Sequence, residues 1–313
     1  MNLAARLLVV LLVSCSPASS SQDAGADAAP CTAPNPQCVG NGSAYGIALD
    51  GANVYWTSSD SVMTAPKDGG AATVLASGQT EPRGIAVDDT NVYWASFTTG
   101  GAISKMPKGG GAATVLASNL DMPLAVAIDA TNVYWVDDDT NGDVMSVPIS
   151  GGTPVVIASA QDQPVAIAVD ATNVYWGDFG TTSTGAIMRA PKAGGAATAL
   201  ATALTGCGGL AIDATNVYWT TTGSAGSLMK VPIAGGPTTK LVGSQPTVIA
   251  VDATNVYYGE ISINGDIAVV PIAGGAATVI APSVGAARAI AVDSTRVYWT
   301  LAGLAAGVFS APK

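Results

Sequence analysis

Gly84-Ile85-Ala86-Val87-Asp88-Asp89-Thr90-Asn91-Val92-Tyr93-Trp94 decides the fold, because close copies of it recur until the chain ends. Its Tyr falls at 55, 93, 134, 175, 218, 257 and 298, which makes seven copies at steps of 38, 41, 41, 43, 39 and 41 residues. A unit of that length is one supersecondary element that cannot hide both of its faces alone, so successive units stack and share one core. The 313 residues therefore read as one array, although length alone suggests about two domains. The period, with four short strands per unit, predicts an all-β protein: a β-propeller of four-stranded antiparallel blades, seven by the copy count.

Each copy parses by alternation and turn residues into four strands. The first, as in Gly84 to Asp88, carries small residues suited to the crowded wall of a central channel. The second is Asn91-Val92-Tyr93-Trp94. Alternation puts Val92 and Trp94 on one face and Tyr93 on the other, so both faces are apolar, as a blade between two neighbours requires. All six Trp (56, 94, 135, 176, 219 and 299) take this one position, which is Tyr258 in the sixth copy. The aromatic supply is thus assigned to the core. The third strand, as in Gly185 to Pro191, ends in a Pro whose missing N–H does no harm there. The fourth, as in Ala112 to Ala117, follows a Gly-Gly turn such as Gly194-Gly195. The Asp that closes each first strand (Asp50, Asp88, Asp129, Asp170, Asp213, Asp252, Asp293) is expected to accept backbone N–H groups two residues on, as a turn-maker needing no other partner.

Pro82-Arg83-Gly84-Ile85-Ala86-Val87-Asp88 together with Tyr55-Trp56-Thr57, Tyr218-Trp219-Thr220 and Tyr298-Trp299-Thr300 resembles the YWTD propellers of the low-density lipoprotein receptor type and their bacterial TolB-like relatives, from about Tyr45 to the end. The final acid of that motif appears only as Asp137, Asp178 and Glu260. The family is usually six-bladed, so six blades is the alternative. Here strands one to three occur seven times and strand four six times, which calls for an N-terminal strand around Ala33 to Val39 to complete the last blade and close the ring. A closed ring leaves no free edge, and a monomer is expected.

The N-terminus reads as an export signal. Arg6 precedes the apolar run Leu7 to Val13, too short to span a bilayer, and Leu12-Val13-Ser14-Cys15 resembles a bacterial lipobox. That resemblance implies cleavage after residue 14, acylation of Cys15 and, with Ser16 next, an outer-membrane lipoprotein facing the periplasm or the surface. Residues 15–30 then form a polar tether with too few apolar side chains to fold, and 31–313 the propeller. In an exported chain Cys31 and Cys38 are expected to pair as a disulfide, leaving Cys207 as a buried, unreactive thiol.

Charge directs attention to one rim. The chain has 12 Lys and Arg against 22 Asp and Glu, a net of -10, and no His. That excludes a nucleic-acid binder, which needs a basic patch, and removes the commonest general base and metal ligand. The connections between strands two and three, and from strand four to the next copy, vary between copies and lie on one rim. They hold Asp60, Glu81, Asp121, Asp137, Asp138, Asp139, Asp143, Asp162, Asp178, Glu260 and Asp266 against Arg83 and Arg288, eleven acids to two cations. Variable loops on a rigid scaffold are where recognition is built, and an acidic funnel favours a cationic partner or a divalent ion.

The expected function is a binding module for an envelope protein, a peptide or a small exported ligand, without a cofactor, touching the membrane only through its anchor. The alternatives are a purely structural envelope protein and a calcium-dependent hydrolase, since calcium-dependent lactonases of six-bladed propellers look architecturally similar; streptogramin lyases look similar too but rely on His, which this chain lacks. For calcium, Asp137, Asp139, Asn141 and Gly142 match the first positions of an EF-hand loop, with Asp143 beside them, but Pro148 replaces the bidentate Glu. A tight Asn-Gly turn explains the same residues. No Gly-x-Ser-x-Gly elbow, phosphate loop or zinc motif is present, so a catalytic reading would need a carboxylate pair on the rim.

Overall fold

A computed structural model describes residues 37–181, 185–223, 225–262, 264–301 and 306–313. The expected signal peptide, Cys15, the tether and Cys31 lie outside these residues. Regular structure within them is entirely β, arranged as seven four-stranded antiparallel sheets. Six are consecutive: residues 47–76, 82–121, 123–161, 164–204, 210–242 and 246–281 form blades 1 to 6, each with its strands a, b, c and d in sequence order. Blade 7 takes a, b and c from Ala287–Val292, Arg296–Leu301 and Gly307–Pro312, and its outer strand from Gln37–Asn41 at the other end of the chain. Every strand a packs on strand a of the next blade, including blade 7 on blade 1, so seven blades close the ring and the six-blade alternative is excluded.

The closing strand overlaps the expected one at Gln37 to Val39 and continues to Asn41. It runs antiparallel to Gly307–Pro312, with Gln37 opposite Ser310 and Asn41 opposite Gly307, and shifts register between Cys38 and Gly40. Val39 points into the core, and a Cβ on Gly40 would stand 2.7 Å from the Trp56 ring of blade 1. Only glycine lets that indole close the seam.

All six Trp are fully buried, and Tyr55, Tyr93, Tyr134, Tyr175, Tyr218, Tyr257 and Tyr298 nearly so. These aromatics fill the space between blades on both faces of strand b, where losing one costs about 3–5 kcal/mol. At the centre the strands crowd: a Cβ on Gly84 would lie 2.5 Å from the carbonyl oxygen of Leu124 in the next blade.

The turn acids do more than make turns. Asp129 Oδ1 accepts the N–H groups of Thr131 and Asn132, both at 2.8 Å, while Oδ2 accepts the Tyr134 hydroxyl, also at 2.8 Å. The same Tyr-to-Asp bond recurs in all seven blades. Contrary to expectation, four of these acids also have a cationic partner. Lys67, Lys108, Lys192 and Lys313, each just after the Pro of strand c, reach back one blade to Asp293, Asp50, Asp129 and Asp252 at 2.7 to 2.9 Å.

The remaining junctions are tied the other way. Lys105, Arg189 and Lys230, two residues before that Pro, reach forward to the carbonyl oxygens of Ile149, Ile233 and Ile272 in the next blade at 2.6 to 2.7 Å. Each of the seven junctions thus carries one cationic tie among the described residues. Where the residue after Pro is Lys, the preceding blade has Thr64, Ser146, Val269 or Ser310 at the strand position; where it is Ile, that position is Lys or Arg. Seven of the 12 basic residues are used in this way on the turn face, the rim that carries the a–b and c–d connections.

Candidate binding rim

The opposite rim carries the b–c and d–a connections, and its loops are stitched to one another. In four blades the residue before strand a has a positive φ: Glu81 (43°), Met122 (50°), Gln163 (55°) and Gln245 (62°). Each precedes a Pro and is not glycine, a conformation such residues rarely adopt. In return its carbonyl accepts an N–H from the b–c loop of its own blade: Phe97 to Glu81 at 3.0 Å, Asp138 to Met122 at 3.0 Å, Phe179 to Gln163 at 2.8 Å and Ile261 to Gln245 at 3.4 Å. Deeper in, the buried Thr of each Tyr-Trp-Thr bonds to the next blade, in strand a or just ahead of it: Thr57 to the Arg83 carbonyl (2.7 Å), Thr220 to that of Thr247 (3.0 Å) and Thr300 to that of Tyr45 (2.9 Å). Neither device is visible in a periodicity plot, though the x-Pro dipeptides at fixed places in the repeat are its trace.

Charge on this rim is segregated by sector. From 109 to 188 the chain has no Lys or Arg and nine Asp, at 121, 129, 137, 138, 139, 143, 162, 170 and 178. Asp129 and Asp170 belong to the turn face, and the other seven gather at the rim of blades 3 and 4. The two rim cations lie elsewhere, Arg83 in blade 2 and Arg288 in blade 7. Arg83 sits 4.0 Å over the Tyr45 ring and 3.3 Å from Glu81. Glu260 and Asp266 are half-buried in blade 6, with Asp266 accepting the Ser283 N–H at 2.8 Å. Asp60, in blade 1, accepts the Ser61 hydroxyl at 2.8 Å.

Inside the acidic sector the sequence-predicted residues divide in two. Asp121 is exposed and Asp139, Asp143 and Asp162 are half-buried, whereas Asp137, Asp138 and Asp178 are buried. Burial pushes the Asp137 carboxyl up to about 7, reinforced by the charges of Asp143 and Asp121 and opposed by the Trp135 indole. Asp178 also rises to about 7, through burial and then the charge of Asp162, against the Trp176 indole. Cys207 is fully buried as expected; burial, with Asp178 beside it, pushes its thiol up and keeps it protonated.

Of the calcium candidates, Asp137 and Asp143 lie near enough for their charges to interact. Asp139 to Gly142 is a four-residue turn closed by the Gly142 N–H on the Asp139 carbonyl at 3.0 Å, and Asp139 Oδ1 accepts the Thr140 N–H at 2.6 Å. No group of three or more Cys, Asp or Glu side chains is placed to hold a metal among the described residues. Cys38 lies in the closing strand, while its expected partner Cys31 is outside the described residues. The recess between blades 6 and 7 on the turn face, lined by Asp252, Asp293 and Lys313, has its charges committed to inter-blade ties.

The sequence matches no family model and no curated protein. Among solved structures it is similar to a chain of the nidogen/laminin complex, with 21% identity and a TM-score of 0.59 over 71% of this chain and 90% of that one. It is also similar to the tricorn protease (TM-score 0.66, 14% identity, 90% of this chain) and to an extracellular domain from B. thetaiotaomicron (TM-score 0.66, 10% identity, 88% of this chain). It spans only 34% and 39% of the latter two chains. At these identities the likeness establishes the propeller fold.

Proposed function

We propose that this protein is a non-enzymatic binding module whose acidic rim, centred on blades 3 and 4, holds a cationic partner. One observation carries the reading: the rim of these two blades holds seven acids in a stretch with no Lys or Arg, while on the opposite face four of the seven turn acids are paired with Lys by inter-blade ties. An excess of one sign of charge on one sector of a rigid ring costs self-repulsion and gives the ring an attractive field for cations. The uniform core and copy-variable rim loops agree with recognition built on a fixed scaffold. We place the chain with the YWTD and TolB-like propellers on the strength of its Tyr-Trp-Thr strands, and we read it as a bacterial outer-membrane lipoprotein anchored through Cys15.

The closing strand fits that arrangement. Gln37 lies opposite Ser310, towards the turn-face end of Gly307–Pro312, and its side chain is near Gly69 of the neighbouring c–d turn. The closing strand therefore begins at the face away from the acidic rim.

The test is charge reversal at the accessible acids, Asp121, Asp139, Asp143 and Asp162 to Lys, followed by capture of partners from envelope extracts at physiological salt. Partners should be lost relative to the parent chain. An unchanged set of captured partners would mean that this rim is not the binding face.

A further inference from the structure

Three carboxyls of the acidic sector are buried, and two of them share one place in the repeat. Asp137 and Asp178 occupy the same repeat position at the end of strand b in adjacent blades and are 9% and 6% exposed. Each has its Oδ1 shut off from solvent with no hydrogen-bond partner. Folded proteins rarely leave a buried carboxylate oxygen so, because desolvating the charge without donors is costly.

The groups around each deepen the deficit. Asp137 faces Asp143 at the head of strand c and Asp121 at the end of strand d of blade 2, with the Trp135 indole Nε1 beside it, itself without a partner. Asp178 faces Asp162 of the d–a connection, the Trp176 indole and the Cys207 thiol at the head of blade 5. Trp176 gives its N–H to Gln161 at 3.0 Å. The chain supplies no Lys or Arg between Lys108 and Arg189 that could complete either site.

We propose that Asp137 and Asp178 are paired anchor points for organic cations, taking the ammonium or guanidinium groups of a basic polypeptide segment laid across blades 3 and 4. This rests on the reading of the rim as the binding face. An organic cation fits better than a divalent ion, because each position offers one buried carboxyl beside an indole, and no group of three acids is placed to hold a metal among the described residues. Anchors in separate blades call for a ligand that spans them, as an extended chain does by presenting alternate side chains to one face.

Binding must displace a proton. At neutral pH burial and the facing acids hold both carboxyls partly protonated, near 7, and only the ionised form attracts a cation. Affinity therefore rises with pH between about 5.5 and 8, where exposed carboxylates would give a flat profile.

The experiment uses the full chain and a fluorescent hexapeptide of alternating Lys and Gly, with its Nε-acetylated form as control, read by anisotropy at low salt. The intact protein should bind the basic peptide and ignore the acetylated one, at least tenfold more tightly at pH 8 than at pH 5.5. The double variant Asp137→Asn, Asp178→Asn, its fold checked by circular dichroism, should lose at least tenfold in affinity at pH 8 and show no pH dependence. Undiminished binding by that variant, a flat profile in the parent, or displacement of the peptide by millimolar calcium would overturn the proposal. An Asn set at Asp121, Asp139 and Asp162 separates the two levels. If it abolishes binding while the buried pair's variant does not, the rim reading stands and the anchors fall; if neither changes binding, both fall.

Discussion

Removing the carboxyl charge at Asp137 and Asp178 should make the protein more stable in mild base and leave it little changed in mild acid. In the folded state both groups are raised from the usual 3.8 to about 7, chiefly by burial. A carboxyl raised on folding favours the native state fully below the unfolded value and loses that contribution as pH climbs through the folded value. A rise of about 3 pH units at about 1.4 kcal/mol each sets an upper limit of about 4 kcal/mol per residue, complete above pH 7. Relaxation of the site will reduce this, so a gain of about 1–3 kcal/mol is expected for Asp137→Asn or Asp178→Asn on going from pH 5 to pH 8.5. For a domain of this size that is roughly 3–8 °C in melting temperature. Urea or thermal unfolding at both pH values measures it directly. The turn acids act in the opposite direction. In Asp50 burial is outweighed by hydrogen bonds from Lys108, Ala52, Asn53 and Tyr55, which hold it at about 2, so its contribution is present above pH 4 and is lost as pH falls through 2. The parent should therefore be most stable near pH 4–5. Asn variants no more stable than the parent at pH 8.5 would show that these carboxyls ionise in place without cost, and the reasoning would fail.

Two further outcomes follow from the ring. Lys105→Thr should lower stability by about 1–2 kcal/mol by leaving the junction of blades 2 and 3 without its charged hydrogen bond. Adding Ile149→Lys should restore most of it in urea titrations, since Asp88 then gains the partner that Asp50, Asp129, Asp252 and Asp293 already have. A chain beginning at Gly42 should expose the edge of Gly307–Pro312 and self-associate or melt earlier, by light scattering and calorimetry, because an unpaired edge strand is a template for pairing.

The repeat made blade number, strand order and core composition legible before any coordinates. Tyr and Trp alternate on a two-residue period, and a seven-fold copy of that pattern has few ways to bury both faces. The inter-blade ties were missed, because the turn acids read as needing no other partner, although they leave a trace: Lys or Arg two residues before Pro in one blade excludes Lys after Pro in the next. That pattern emerges only when neighbouring copies are compared in register. The rim was readable in part. Its acids could be assigned to one face, yet Asp138 and Asp139, adjacent in sequence, differ in burial, and no periodicity separates them.

What the sequence by itself determined was the ring, because repetition of a two-faced apolar unit leaves closure as the one way to cover every face and pair every edge. What tertiary structure alone decided was which rim acids are exposed and which are sealed. Asp137 and Asp178 are buried beside the loop stitching of Asp138 to Met122 and of Phe179 to Gln163, contacts between segments that no local pattern encodes. Their chemistry depends on that enclosure, since a carboxyl's charge is set by the water and donors left to it.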